Sequence, residues 1–556
     1  MRQNYGFPAR ARRQAQRLVG RLNVWPALFM CWSVANTYAQ PTYTAVAQLG
    51  ALGRVVLTEL TADGQGGFYV AGDYRDALVW GDSSLAAPVG IGAFAARVGA
   101  DLRPRWIIAD PGTNTDGFAA AATGPDGSVW WAGSFFGNAR LGDSLLVTPN
   151  NQKGLFLLQT DDGGTVLQTR LLTGPATKTI TDLLVDETGA VYVTGSFADT
   201  LVLQQTLLTT DDGADRLGYV AKYSATGQLL FARRIGDSGT VDPRGLAQTG
   251  DGRVVLVGDL EGTIGWGGAS IKTIGANVDV FVAALTTDGA PQWIRKAGGE
   301  QTDRVYRVVA DAANHLYLAG RMTAVFGIGN GLTVQTPNFE PNAYLASYTS
   351  DGMPRWVRTY GNEQPETATD LVLRNDRLWL TGIFRESTEL DGISLSAPAG
   401  SQAAGYVLQT DLEGRALRAF ATTGSDWVIQ RRLAVDATER VTVAGRFDQQ
   451  LTLGDATLTA VGDYDGYLAT FDPALTPTLQ LPAPRVTVFP NPARDSIGWR
   501  SETPVREALL YDWNGRLWRR QVNVTALETT GLPRGAWRLE LKFADARSYQ
   551  TTVILQ

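Results

Sequence analysis

Few residues in this chain have the types and spacing that chemistry requires. There is one histidine, His315, and one cysteine, Cys31. Such scarcity excludes most zinc, haem, iron–sulfur and thiol chemistry, which needs clusters of those ligands. His315 stands at the entrance to a strand-like run, and its equivalents in neighbouring repeats include Ala190 and Arg253. No nucleophile-elbow serine accompanies it, so a Ser–His–Asp relay has no support and a structural histidine is expected. Paired carboxylates could run glycoside hydrolysis, and Asp161-Asp162, Asp211-Asp212, Asp463 and Asp465 offer them. Most of these sit in turn contexts such as Asp162-Gly163 and Asp212-Gly213, where turn chemistry accounts for them without catalysis. Asp211, Asp215 and Asp463 also supply hard oxygen ligands for calcium, but neither segment has the full spacing of a calcium loop. No cofactor is expected, with calcium as the weak alternative. Gly265-Trp-Gly-Gly268 follows no strand-to-helix pattern and cradles no phosphate. The aromatics Trp106, Phe231, Trp293 and Trp356 recur at equivalent positions, as packing residues do. Trp80, Phe136, Trp266 and Trp427 do not recur; exposed, they would stack on glycans, and buried they belong to the core.

The elements that position these residues follow from an internal repeat. Strand-like runs end in Gly72, Gly133, Gly195, Gly258, Gly320, Gly382 and Gly445, spaced 61 to 63 residues apart. An aromatic marker keeps step: Phe94, Phe156, Tyr219, Phe281, Tyr344, Tyr406 and Tyr467. Each copy alternates β-branched and aromatic residues between Asp-Gly turns, the pattern of strands and hairpins, and none shows helical periodicity. Four strands per unit in seven copies predict a seven-bladed β-propeller of about 62 residues per blade over residues 40–482. Gly50 lies 22 residues before Gly72, as Gly298 lies before Gly320, so residues 43–50 match an outer strand lacking its own unit. That strand is expected to complete the seventh blade, with residues 476–481 as its competitor. The units resemble the seven-bladed propeller repeats of many bacterial exported proteins, which implies a fold and little about ligands.

Residues 1–39 hold six arginines and no acid, then an apolar stretch and small residues at Thr37 and Ala39 before Gln40. This is the order of a secretory signal cleaved between Ala39 and Gln40. Cys31 falls inside it, so no disulfide is expected in the remainder. No later run reaches the length of a membrane-spanning helix. Residues 40–484 carry 32 Lys or Arg against 48 Asp or Glu, a net charge of −16. An acidic surface of that kind disfavours nucleic acid and anionic membrane.

After a Pro-rich linker at 483–485, residues 486–556 read as short strands of a small Ig-like β-sandwich, with ten basic residues against seven acidic. Three blocks, Val488-Phe-Pro-Asn-Pro-Ala-Arg-Asp495, Leu510-Tyr-Asp-Trp-Asn-Gly515 and Gly531-Leu-Pro-Arg-Gly-Ala-Trp537, resemble the C-terminal sorting domain of the type IX secretion system of Bacteroidetes-type bacteria. The matching residues are Pro490, Asn491, Pro492, Asp495, Gly515, Leu532, Gly535 and Trp537. The resemblance implies recognition by that machinery and release or attachment at the outer surface of a Gram-negative cell. The ending Thr551-Thr-Val-Ile-Leu-Gln556 departs from it by lacking the lysine that members often carry there.

The expectation is a secreted or surface-displayed, non-catalytic binding scaffold whose ligand is a glycan or protein. Its binding face would draw on loop segments 110–116, 236–244, 298–304 and 361–369, with Asp116, Asp242, Asp303, Trp266 and Trp427 as candidates. The rival readings are an extracellular carbohydrate-active hydrolase or lyase and a purely structural envelope protein.

Overall fold

The computed structural model describes residues 41–110, 117–149, 152–175, 177–210, 216–273, 277–474, 486–501, 504–512, 516–522, 524–543 and 548–556. The expected export signal with Ala39 and Gln40, the competing segment 476–481, and Asp116, Asp211, Asp215 and Gly515 lie outside them. The described residues are strand and turn throughout, with no α-helix among them.

The fifth repeat shows how the pattern folds. Arg304–Ala310, Leu316–Met322, Asn342–Tyr348 and Pro354–Tyr360 pair antiparallel in that order. The turn between the first two is shaped by Asp311, which accepts the His315 backbone N–H at 2.7 Å, and by Asn314 at φ 66°. Both are short polar residues that tolerate tight turns. The other repeats form the same meander on inner strands Arg54–Ala62, Gly117–Thr123, Asp182–Val185, Ser238–Gln248, Glu366–Arg374 and Val428–Val435. Each inner strand packs on the inner strand of the next repeat, and that of the last packs on that of the first.

The two sequence markers turn out to be one cross-strand pair. Gly72 stands opposite Phe94, Gly133 opposite Phe156, Gly320 opposite Tyr344, and the other four repeats keep the same register. In six of the seven, a Cβ on the glycine would fall 2.5 to 2.9 Å from the opposing ring. In those six the ring occupies the space over the glycine, so each marker requires the other. A second contact joins successive repeats. Trp106, Phe231, Trp293 and Trp356 on outer strands each lie against a turn glycine of the following repeat: Gly164, Gly289, Gly352 and Gly414. Those glycines have φ between 73° and 88°, and a Cβ would sit 2.6 to 2.8 Å from the ring. Trp106 and Trp293 also donate their indole N–H groups to carbonyls of the same turns, at 2.8 and 2.9 Å.

The strand Tyr43–Ala51 pairs antiparallel with Asp465–Phe471, Val46 opposite Ala469, and so supplies the fourth strand of the seventh unit. Residues 486–556 form two sheets. One orders Val486–Phe489, Ser496–Ser501 and Ala526–Glu528; the other orders Leu517–Val522, Val505–Tyr511, Gly535–Phe543 and Ser548–Leu555. Ile497, Trp499 and Leu527 from the first meet Leu510, Trp537, Leu539 and Val553 from the second in one apolar core.

Candidate functional site

The inner strands share an irregularity that brings side chains together. Their register to the second strand slips by one residue, between Leu57 and Glu59, Phe118 and Ala120, Pro243 and Gly245, Val305 and Arg307, Ala368 and Asp370, and Gln430 and Arg432. Such a bulge re-aims the side chains beside it. The residues after the slip are Glu59, Ala120, Gly245, Arg307, Asp370 and Arg432, with Asp182 at the same place in the third repeat.

Arg307 gathers the acids of this set. Its Nε donates to Asp370 at 2.9 Å, Nη1 to Asp182 at 3.0 Å, and Nη2 to Glu59 at 3.3 Å. Arg432 approaches Glu59 at 3.6 Å. All three carboxylates are buried, with side-chain exposures of 4%, 9% and 4% for Glu59, Asp182 and Asp370. Asp182 and Asp370 also accept the backbone N–H groups of Leu246 and Leu433 on the following inner strands, at 2.8 and 3.0 Å. Burial pushes the pKa of Glu59 and of Asp182 up, opposed chiefly by Arg307. Burial works against the Arg307 charge, but Asp370, Asp182 and Glu59 outweigh it and hold the guanidinium above its ordinary value. A network so fully paired sets the relative register of the repeats more than it adds stability. Each acid among the described residues that follow the slip is thereby paired.

The residues singled out from sequence scatter. Asp303 is fully buried; its oxygens accept the Thr323 and Gly299 N–H groups at 2.9 Å each. Burial, aided by neighbouring Asp279, pushes its pKa up to about 7. Asp242 sits within the strand Ser238–Gln248 and pairs with Arg216. Trp266 is buried and donates to the Ala284 carbonyl at 2.8 Å, and Trp80 is likewise a core side chain. Trp427 is half-buried with the Arg385 guanidinium 5.2 Å from its ring centroid. Phe136 has Lys153 at 5.9 Å. Asp465 is buried and accepts Gln48 Nε2 at 2.6 Å and the Val461 N–H at 3.0 Å, so it faces the fold. His315 Nδ1 lies 2.9 Å from Asp311, which also accepts the Tyr317 hydroxyl at 2.9 Å; the imidazole braces a turn. Among the described residues no group of three or more acids, histidines or cysteines is arranged to hold a metal ion.

One open site was not foreseen. A polar groove of about 710 Å³ on the seventh repeat is lined by Ser425, Asp426, Asp448, Gln449, Gln450 and Asp463, among others. Gln449 Nε2 donates to Asp426 at 2.9 Å, and Asp448 Oδ1 is buried without a partner. Burial raises the Asp448 pKa, with Arg446 opposing and Asp426 and Asp463 adding to the rise. Asp463 alone of these carried a sequence signal.

In the C-terminal module, Asn491 grips the final strand. Its Oδ1 accepts the Ile554 N–H at 2.9 Å and its Nδ2 donates to the Thr552 carbonyl at 3.2 Å. Ala493 exchanges backbone hydrogen bonds with Ile554 and Gln556, both 2.8 Å. Pro490 and Pro492 flank Asn491, and the Asp495 carbonyl accepts the Thr529 N–H at 2.8 Å. Leu532 packs on the shared core, Gly535 opens a strand at φ 136°, and buried Trp537 donates to the Pro533 carbonyl at 3.1 Å.

No protein-family model matches the chain. The regulatory protein FlaEY of Caulobacter vibrioides is 24% identical over 164 residues, which is 28% of this chain and 17% of FlaEY. The chain thus matches about a sixth of that relative's length. Among solved structures, a gluconolactonase from Xanthomonas campestris is 15% identical with a TM-score of 0.28, covering 62% of this chain and 91% of its own. YCF48 bound to D1 peptide is 10% identical with a TM-score of 0.34, covering 78% and 97%. A puromycin hydrolase is 12% identical with a TM-score of 0.37, covering 82% and 58%. The chain is all-β and propeller-like, as its strand pairing shows.

Proposed function

We propose that this protein is an exported, non-catalytic binding scaffold: a seven-bladed β-propeller over residues 40–482, joined by 483–485 to an Ig-like sorting module at 486–556. The observation that carries the non-catalytic reading is the Arg307 network. It consumes Glu59, Asp182 and Asp370, the acids that a catalyst placed at the convergence of the inner strands would need. The groove on the seventh repeat instead offers carboxylates, amides and a hydroxyl open to solvent, a set that hydrogen-bonds a polar ligand such as a glycan. Export is supported by the arginine-rich, apolar and small-residue order of 1–39, and handling by the type IX machinery by the three C-terminal blocks. The destination is then the outer surface or the medium of a Gram-negative cell.

Thermal shift of the full chain against a panel of polysaccharide fragments tests the binding reading, since a ligand of the folded state raises the melting temperature with concentration. A shift abolished by Asp426→Asn supports it; no shift with any fragment removes the glycan ligand. Deleting 486–556 tests the sorting reading separately, because surface display of the truncated protein would defeat it.

A second reading rests on Asp448, whose buried Oδ1 lacks a partner beside Asp426. It would make the groove the site of a carbohydrate-active hydrolase, and turnover lost in Asp448→Asn would favour it.

A further inference from the structure

Comparison of equivalent positions in two repeats exposes an unbalanced charge. The residue at the inner-strand bulge is Arg244 in the fourth repeat and Arg431 in the seventh. The residue after the marker glycine is Asp259 in the fourth and Arg446 in the seventh. In the fourth repeat these positions form an ion pair: Arg244 Nη2 and Nε lie 3.0 and 3.2 Å from Asp259 Oδ2, and Arg304 Nη1 adds a third contact at 2.7 Å. In the seventh, the same backbone geometry sets two guanidinium groups against each other.

The surroundings restore the balance only in part. The exposed Arg431 side chain makes no hydrogen bond or ion pair among the described residues. The Arg446 guanidinium lies over the Tyr464 ring, 3.9 Å from its centroid. Arg54 donates to the Tyr464 hydroxyl at 3.3 Å and reaches Asp73 at 3.3 Å. The Nε atoms of Arg54 and Arg446 are buried without an acceptor, and that of Arg432 has only Glu59, at 3.6 Å. Desolvation, then Arg432 and Arg446, lowers the Arg431 pKa, with Asp73 and Tyr464 opposing by less. The carboxylates beside these four arginines are each engaged elsewhere, Asp73 with Arg54, Glu59 with Arg307 and Arg432, and Asp448 near Arg446, so Arg431 is left without an ion-pair partner among the described residues.

We propose that Arg431, Arg446 and Arg54 bind the carboxylate of an acidic sugar, standing where the Asp259 carboxylate stands in the fourth repeat. The sugar follows from the neighbouring groove, whose Asp448 lies two residues after Arg446, just past the strand end, and whose Asp463 adjoins Tyr464. Carboxylate and amide groups there bond hydroxyls while the arginines take the charge. This inference rests on the reading of the groove as the binding face.

Calorimetric titration of the full-length protein with glucuronate, glucose and acetate tests it. Glucuronate is expected to bind at least about tenfold more tightly than either control. Arg431→Gln should remove that preference without lowering the melting temperature. Arg446→Asp should do the same while raising the melting temperature, because it installs the ion pair of the fourth repeat. Equal affinity for glucuronate and glucose overturns the arginine assignment and leaves the binding face standing. Acetate binding as tightly as glucuronate overturns the sugar. Unchanged glucuronate affinity in Arg431→Gln, or no binding of any probe, overturns the inference as a whole.

Discussion

Arg307 and Glu59 lie 248 residues apart in the chain and 3.3 Å apart in space. The contact ties the first repeat to the fifth, and through Asp182 and Asp370 the same guanidinium reaches the third and sixth. One side chain therefore reports whether the repeats have assembled in register.

Arg307→Met strands three buried carboxylates and should cost about 3–5 kcal/mol in urea unfolding. Adding Glu59→Gln, Asp182→Asn and Asp370→Asn should recover much of that loss. If the quadruple variant is no more stable than Arg307→Met, the acids are not the source of the cost.

Two other buried acids predict a pH dependence. Burial raises Glu366 to about 8 and Asp303 to about 7, from ordinary values of 4.5 and 3.8. The folded chain therefore holds protons that the unfolded chain has released, and stability falls as pH rises from about 4 through about 8. Glu366→Gln should remove part of this slope. Thermal melts should show it stabilised at pH 8, on the order of 1–3 kcal/mol, and nearly unchanged at pH 4.5.

Gly320→Ala places a Cβ 2.0 Å from the Arg304 carbonyl and 2.9 Å from the Tyr344 ring. The strand pair must spread, at a cost of about 1–3 kcal/mol by denaturant titration. Stability equal to the wild type would mean that the register of the marker pair is looser than described.

Asn491→Ala removes both side-chain bonds to the last strand. The Ile554 amide should exchange with solvent at least about tenfold faster, while amides of the core strand Gly535–Phe543 keep their protection. Exchange rising across the whole module would instead make Asn491 a requirement for its folding.

The repeat and its all-β fold were legible because the markers are packing partners: the ring needs the glycine, so both recur at one period. The Arg307 network was not legible for the opposite reason. Glu59, Ala120, Asp182, Gly245, Arg307, Asp370 and Arg432 share one position but differ in chemistry, and a search for likeness passes over them. Burial was equally hidden. Trp266 and Trp427 both stand near strand ends in sequence, yet one fills the core and the other is partly exposed. Asp303 looked like a loop residue, but its carboxyl caps two backbone N–H groups inside the fold.

The strand Tyr43–Ala51 finds its partner at the far end of the repeats; Thr44 bonds to a carbonyl 426 positions later. At a synthesis rate of about 5–20 residues per second, that first strand waits roughly 20 to 85 seconds for its mate. Until then the third strand of the seventh repeat does not exist, and Tyr43–Ala51 has only the short strand Leu78–Trp80 to pair with, through Leu49 to Ala51, so its other edge stays open. Completion of the fold thus works as a clock on chain synthesis: an intact molecule certifies that its last repeat has been made, and a fragment broken off earlier advertises itself by the edge it cannot cover.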